Sequence, residues 1–99
     1  MPDAGPLWQL EGFLERLDSW IAQESPSDDL RLIVTAWVLT RFDDPYQGVR
    51  REPEFGNLWF GMVPRTRDDQ GTIVTCAYWI EEARGAVRCD SFATLRLPT

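Results

Sequence analysis

Gly71-Thr72-Ile73-Val74-Thr75-Cys76-Ala77-Tyr78-Trp79-Ile80, then Glu82-Ala83-Arg84-Gly85, then Ala86-Val87-Arg88-Cys89-Asp90-Ser91-Phe92-Ala93 form the stretch that decides the fold. Both flanking runs are rich in β-branched and aromatic residues, and Gly85 supplies the positive φ that a tight connection needs, so the segment predicts an antiparallel hairpin. Alternation places Val74, Cys76, Tyr78 and Ile80 on one face of the first arm and Ile73, Thr75, Ala77 and Trp79 on the other. In the second arm it sets Val87, Cys89, Ser91 and Ala93 against Arg88, Asp90, Phe92 and Thr94. With the turn near Ala83 to Gly85, Cys89 falls opposite a residue between Tyr78 and Ile80 rather than opposite Cys76. A disulfide is then awkward, and the two thiols read as small buried hydrophobes.

Upstream, Leu58-Trp59-Phe60-Gly61-Met62-Val63 reads as a strand stopped by Pro64, with Arg65 to Gly71 turning into the hairpin. The result is a three-stranded antiparallel meander, which needs a cover on one face to be stable. The cover comes from the N-terminal part. From Leu7 to Gln23, Leu10, Phe13, Leu14, Leu17, Trp20 and Ile21 recur at spacings of three and four, the pattern of an amphipathic helix slightly weakened by Gly12. Ser25-Pro26-Ser27-Asp28-Asp29 then reads as a second helix start, with Ser25 as N-cap and Pro26 at the first helical position. Leu30, Ile33, Val34, Trp37 and Val38 continue as a helical stripe. The rival reading of residues 30–40 is a strand, because Ile33-Val34-Thr35 and Trp37-Val38-Leu39-Thr40 are β-prone; caps and period together favour the helix. Arg41-Phe42-Asp43-Asp44-Pro45 closes it, and Tyr46 to Gly56 is an irregular charged loop. The expected fold is therefore α+β: a single domain of residues 1–99, with residues 1–6 a disordered N-terminus, an N-terminal helical hairpin at 7–42, and a three-stranded antiparallel β-meander at 57–97.

The chain has 99 residues and a net charge of −6, unevenly spread. Residues 1–49 hold nine acids and three Arg, net −6, whereas residues 50–99 hold seven acids and seven Arg, net zero. Generic nucleic-acid binding through the whole surface is excluded by that sign. No apolar run approaches the ~20 residues of a membrane helix, and Met1 to Pro6 lacks the basic start and apolar run of a signal peptide, so a cytoplasmic protein is expected.

His is absent, and the two Cys are not closely spaced, so no metal site and no cofactor is indicated. The pairs Asp43-Asp44 and Asp68-Asp69 are explained by turn formation. Arginine chemistry remains: guanidinium groups stabilise a charged phosphodiester transition state while a Tyr or carboxylate moves protons. Arg65, Arg88, Arg96 and Tyr78 lie on or beside the sheet and are the candidate catalytic set. Arg50, Arg51 and Arg67 are candidate binding residues. The competing view is that these arginines are surface charges balancing Glu81, Glu82 and Asp90.

A helical hairpin, then Asp44-Pro45-Tyr46-Gln47-Gly48-Val49, then Gly56-Asn57-Leu58-Trp59-Phe60, then Val74 to Ile80 and Ala86 to Cys89, resembles the RelE/ParE superfamily of small bacterial toxins. That resemblance implies a toxin of a two-gene module, neutralised by an antitoxin partner and acting on the ribosome and its mRNA, as a metal-independent ribonuclease, or on DNA gyrase. The family usually opens on a strand paired in the sheet, which Met1 to Pro6 is too short and proline-bound to supply. Its ribonuclease members are basic, whereas this chain is acidic. Two other readings stand beside it. One is a non-enzymatic acidic interaction module, a regulator or inhibitor meeting a basic partner. The other is a small-molecule pocket lined by some of the five Trp. A homodimer is compatible with each.

Overall fold

The computed structural model describes residues 7–97, which form two helices and a five-stranded mixed sheet. Strand β1 (Gln9–Glu11) precedes helices α1 (Phe13–Glu24) and α2 (Asp28–Leu39), and a 3-10 turn covers Thr40–Phe42. Strands β2 (Arg50–Arg51), β3 (Leu58–Met62), β4 (Thr72–Glu81) and β5 (Ala86–Arg96) follow. The sheet order is β1-β5-β4-β3-β2, with β1 parallel to β5 and the other pairs antiparallel. The expected meander β3-β4-β5 is the middle of this sheet, and one short strand extends it on each side. The disorder expected for residues 1–6 lies outside the described residues. No helix among the described residues is long and apolar enough to cross a membrane.

The N-terminal segment departs most from its sequence pattern. Residues 9–11 are a strand rather than the first turn of a helix, with Leu10 beside Val87 in the parallel register. Gly12 is the switch: at φ 76° it turns the chain out of the strand, and its carbonyl accepts the first helical bond from Arg16 N–H at 3.1 Å. A residue with a Cβ would resist that backbone, so Gly12 starts the helix instead of weakening it. The second correction concerns the link between helices. Ser25 takes the left-handed conformation that ends α1, its N–H bonded to Ile21 O, and the N-cap of α2 is Ser27, whose hydroxyl accepts from Leu30 N–H at 3.2 Å. Residues 28–39 are helical, as the period predicts, with the cap two residues later than the expected Ser25.

Both helices lie on one face of the sheet. Phe13, Leu17 and Trp20 of α1 and Val34, Trp37 and Val38 of α2 pack on Val74, Cys76, Tyr78, Ile80, Val87 and Cys89. Each fully buried large side chain in that layer stabilises the fold by about 1.5–3 kcal/mol relative to exposure. Cys89 pairs with Tyr78, as the turn position predicts, and both thiols are free and buried. Burial pushes the Cys76 thiol up, away from the reactive thiolate.

Strand β5 does not keep one alternation. Tyr78 pairs with Cys89 but Ala77 pairs with Ser91, which leaves Asp90 as the extra residue of a bulge. Beyond it the faces exchange, so Phe92 and Thr94 turn to the helices, where straightforward alternation puts Ser91 and Ala93. Phe92 packs against Phe13 and Trp20 at centroid distances of 6.3 and 6.4 Å, and Trp20 Nε1 donates to Thr94 Oγ1 at 3.1 Å.

Arg41 is the largest of the fully buried side chains, 2% exposed, and among the described residues no carboxylate lies within ion-pair distance of it. Its Nη1 donates to Gln47 O at 2.7 Å and to the Tyr78 hydroxyl at 3.0 Å. Nε and Nη2 donate to Thr40 Oγ1 at 3.2 and 2.9 Å, and its guanidinium sits 4.4 Å from the Trp37 ring centroid. Tyr78 in turn donates to Pro45 O. Neutral acceptors and an aromatic face thus replace the water that a buried guanidinium loses. Arg41→Lys cannot reproduce the fork, and Tyr78→Phe removes one acceptor of Arg41 and the donor to Pro45; each is expected to lower unfolding free energy in urea by about 1–3 kcal/mol.

At the opposite edge, β2 is set by close backbone approach. A Cβ built on Gly61 lies 2.5 Å from Val49 Cγ1, inside contact distance. Gly61→Ala is expected to displace the Val49–Arg51 segment and cost about 1–3 kcal/mol, read by chemical denaturation and by loss of amide protection at Arg50 and Arg51. The chain's two tyrosines give a pH test. Tyr78 is pushed up to about 12, first by burial, against the lowering effect of Arg41, and Tyr46 to about 12, first by burial and then by the Glu82 carboxylate that accepts its hydrogen bond. The native state therefore keeps both protons where an unfolded chain has lost them, and this contribution is present below pH 10 and lost as pH rises toward 12. Absorbance at tyrosinate wavelengths is expected to stay flat through pH 10 and to rise together with loss of the far-UV signal; an ordinary titration centred at pH 10 in the folded protein contradicts it.

Candidate functional site

The fold separates the arginines and tyrosine singled out from sequence. Tyr78 is 0% exposed and its hydroxyl is committed to Arg41 and Pro45, so it faces the core rather than a substrate. Arg96 pairs across from Thr72 and donates to Gln70 O at 3.3 Å, at the end of the sheet where Arg65 and Arg67 flank the β3–β4 turn. Arg88 pairs across from Trp79, which lies about 23 Å further along β4 at the ordinary rise of a strand. Arg50 and Arg51 are exposed on edge strand β2, Arg51 donating to Gly56 O at 3.3 Å. The four candidate catalytic residues thus do not converge on one point. Arg65 and Arg67 do share a shallow depression with Asp29, Asp68 and Thr72 at the α2 end of the sheet.

At the Trp79 end of the sheet, charges are paired with one another. Glu81 accepts from Arg84 and Arg88, the latter at 3.3 Å, and Arg84 also reaches Glu11. These hydrogen bonds hold the Glu81 carboxyl below its ordinary range and raise the Arg84 guanidinium above its own. Arg88 additionally stacks 5.6 Å over the Trp79 ring. The aspartate pairs serve turns: Asp68 accepts from the Thr72 hydroxyl, which with the Thr72 N–H lowers its carboxyl, and Asp44 accepts from Tyr46 N–H at 3.0 Å. Among the described residues there is no group of three His, Cys, Asp or Glu side chains that could hold a metal ion.

Two surfaces stand out instead. The first is a groove of about 460 Å³ between the start of α1 and the end of α2, lined mainly by Leu10, Phe13, Leu14, Leu17, Val38, Leu39 and Phe42, with Glu15 and Thr35 at its polar margin. Leu14 is 75% exposed and Leu39 57%, so large apolar side chains stand in water on its two sides. Leu14 sits in the apolar stripe of the sequence, but a helix covering a sheet buries a narrower sector than the stripe occupies. The groove belongs to the acidic layer: residues 7–49 carry eight acids against Arg16, Arg31 and the buried Arg41. Nothing in the sequence marks it except a stripe wider than one interface requires.

The second surface is the sheet face opposite the helices. Cross-strand pairs Leu58–Trp79, Phe60–Ala77, Met62–Thr75, Thr75–Ala93 and Ile73–Leu95 point there. Phe55 reaches over from the preceding loop to meet Trp79 edge-on, with centroids 6.1 Å apart. Phe55 and Met62 are 48% exposed and Leu95 41%. This apolar face was hidden from a straightforward alternation of β5, which assigns Ser91 and Ala93 to the core.

Comparison with protein-family models, with curated proteins and with solved structures finds no match to this chain.

Proposed function

We propose that the chain is a non-enzymatic interaction module whose acidic helical layer receives a basic amphipathic helix of a partner protein in the groove between α1 and α2. The observation that carries this reading is the coincidence of that apolar groove with the net-negative layer. A helix presenting leucine-like residues at i, i+3, i+4 and i+7 fills such a trough, and lysines or arginines on its flanks meet Glu15 at the margin and the net-negative charge of the helical layer. Charge of this kind speeds encounter and selects against acidic competitors, while the apolar contacts set the residence time. The separation of Arg65, Arg88, Arg96 and Tyr78 supports binding over catalysis, because phosphodiester cleavage needs its stabilising groups around one reacting centre.

A second reading, a RelE/ParE-like toxin, is favoured by a specific feature. Strand β1 enters the sheet ahead of the helical pair, an element that the family has and that the first six residues are too short to provide. In that reading the groove occupant is an antitoxin, and the target is the translation machinery or DNA gyrase. Growth arrest on inducing the gene alone, relieved by Arg88→Ala or Arg65→Ala, supports it; unimpeded growth rejects it.

For the first reading the test is direct. A labelled cationic amphipathic helical peptide is expected to bind in fluorescence anisotropy, with affinity falling as salt is raised, and an acidic peptide of the same apolar pattern is not. Leu14→Ser/Leu39→Ser alters only exposed positions, so folding stability should hold within about 0.5 kcal/mol while peptide affinity drops about tenfold or more. Equal binding of both peptides, or binding indifferent to the double substitution, rejects the groove as the site.

A further inference from the structure

We propose that the outer edge of β5 beyond Arg88 takes up an extended segment of a partner protein, which adds to the sheet as an antiparallel strand. This goes beyond the groove reading and uses main-chain groups rather than the helical layer. Strand β5 runs for eleven residues, but β1 covers only Ala86 to Arg88 before Gly12 turns the chain away. The register shows which main-chain groups are left over. Val63 N–H donates to Val74 O at 2.8 Å and Ile80 N–H to Asn57 O at 3.1 Å, so the even-numbered residues of β4 bond toward β3 and the odd-numbered ones toward β5. Ile73, Thr75 and Ala77 pair with Leu95, Ala93 and Ser91, which therefore spend their N–H and C=O groups on β4. Those of Phe92, Thr94 and Arg96 point the other way, where no strand among the described residues pairs with them. Asp90, Leu95 and Arg96 are exposed and Ser91 to Thr94 half-buried, so this lane of about 20 Å is open to water. Neither a proline nor a lysine blunts it, and a row of unpaired donors and acceptors is a template for another strand.

The surroundings of the lane select its occupant. Helix α1 rides on β5, with Phe13 and Trp20 against Phe92 and Trp20 Nε1 bonded to Thr94 Oγ1. Two copies joined edge to edge through β5 would bring these strands to ~4.8 Å and both α1 helices onto one side of the joined sheet. Packed helices need ~8–10 Å between their axes, so a second β5 does not fit. The edge strand β2 of another copy is two residues long and cannot fill the lane. An extended segment with no helix of its own meets neither obstacle. Charge gives it a direction. Asp90 and Arg96 stand at the two ends of the lane, and neither is in an ion pair among the described residues; Arg96 donates only to Gln70 O at 3.3 Å. An antiparallel segment that begins with an acidic residue and ends with a basic one places the first opposite Arg96 and the last opposite Asp90. Between them its side chains alternate between Phe92 and Thr94 on the helical side and Ser91, Ala93 and Leu95 on the other, which suits β-branched residues.

The probe is the capped peptide Asp-Val-Thr-Val-Thr-Val-Arg, followed by amide exchange in the full chain. Without peptide, the amides of Ser91, Ala93 and Leu95 are expected to be protected and those of Phe92, Thr94 and Arg96 to exchange freely. Peptide at ten times its dissociation constant should slow the latter three about tenfold. N-methylation of both peptide threonines, whose N–H groups face β5 in this register, should abolish binding, whereas N-methylation of the central valine, whose N–H faces away, should spare it. Arg96→Glu alters one exposed side chain; it should weaken binding about fivefold, and a peptide opening on Arg instead of Asp should restore it. Absence of binding at millimolar peptide overturns the proposal, and so does equal tolerance of N-methylation at threonines and valine. Protection of Phe92, Thr94 and Arg96 that grows with protein concentration alone assigns the edge to a second copy and overturns it too. Leu14→Ser/Leu39→Ser is expected to leave this binding intact; loss of binding in that variant places the peptide in the groove and overturns the edge assignment. Failure of the edge and failure of the groove are therefore read separately.

Discussion

A guanidinium taken out of water, with no carboxylate partner among the described residues, ties the layers of this structure together. Arg41 leaves the end of α2, lies on Trp37, and spends its donors on Thr40, on the carbonyl of Gln47 and on the hydroxyl of Tyr78, which passes a hydrogen bond on to Pro45. One side chain thereby joins the helical layer, the 45–47 turn and the central strand of the sheet. The arrangement is stable only while every partner is in place, because a charge in a medium of low dielectric has no inexpensive alternative. It fixes where α2 ends, and with that the position of Leu39 and Phe42 on the groove. It also removes Tyr78 from any chemistry at the surface.

The elements that a local pattern specifies were legible. The β4–β5 hairpin follows from β-branched runs around Gly85, α2 from its apolar stripe, and the offset of Cys89 from Cys76 from the place of the turn. What was not legible depends on contacts distant in sequence or on single-residue irregularities. Strand β1 is three residues long and pairs in parallel with a strand 77 positions away, Gln9 with Ala86, so no periodicity of its own announces it. Only Gly12 hinted at the break. The bulge at Asp90 leaves no compositional trace, yet it exchanges the faces of half a strand and turns Phe92 inward. Arg41 looked like an ordinary helix-closing cation, since burial of a charge is set by what surrounds it.

The site residues failed to converge for a related reason. Arg88 and Arg96 share strand β5 and Arg65 lies in the β3–β4 turn, but an eleven-residue strand carries its two ends far apart. Proximity in a hairpin is a matter of register, and register here places Arg96 with Thr72 and Arg88 with Trp79. What the fold does concentrate is contrast between faces. Acidic side chains with exposed leucines lie on the helical side, and an apolar field lies on the sheet side, with ion-paired charges at its Trp79 end.

Leu10 belongs to both the parallel edge strand and the floor of the groove. Whatever fills the trough therefore also clamps the amino-terminal ribbon onto the sheet, and an empty trough leaves that ribbon with three residues of pairing and its contacts to Phe42 and Gly85. Occupancy and fraying become two ends of one equilibrium: ligation slows solvent exchange at Gln9–Glu11, and loosening of those residues weakens the grip on the ligand by the same free energy.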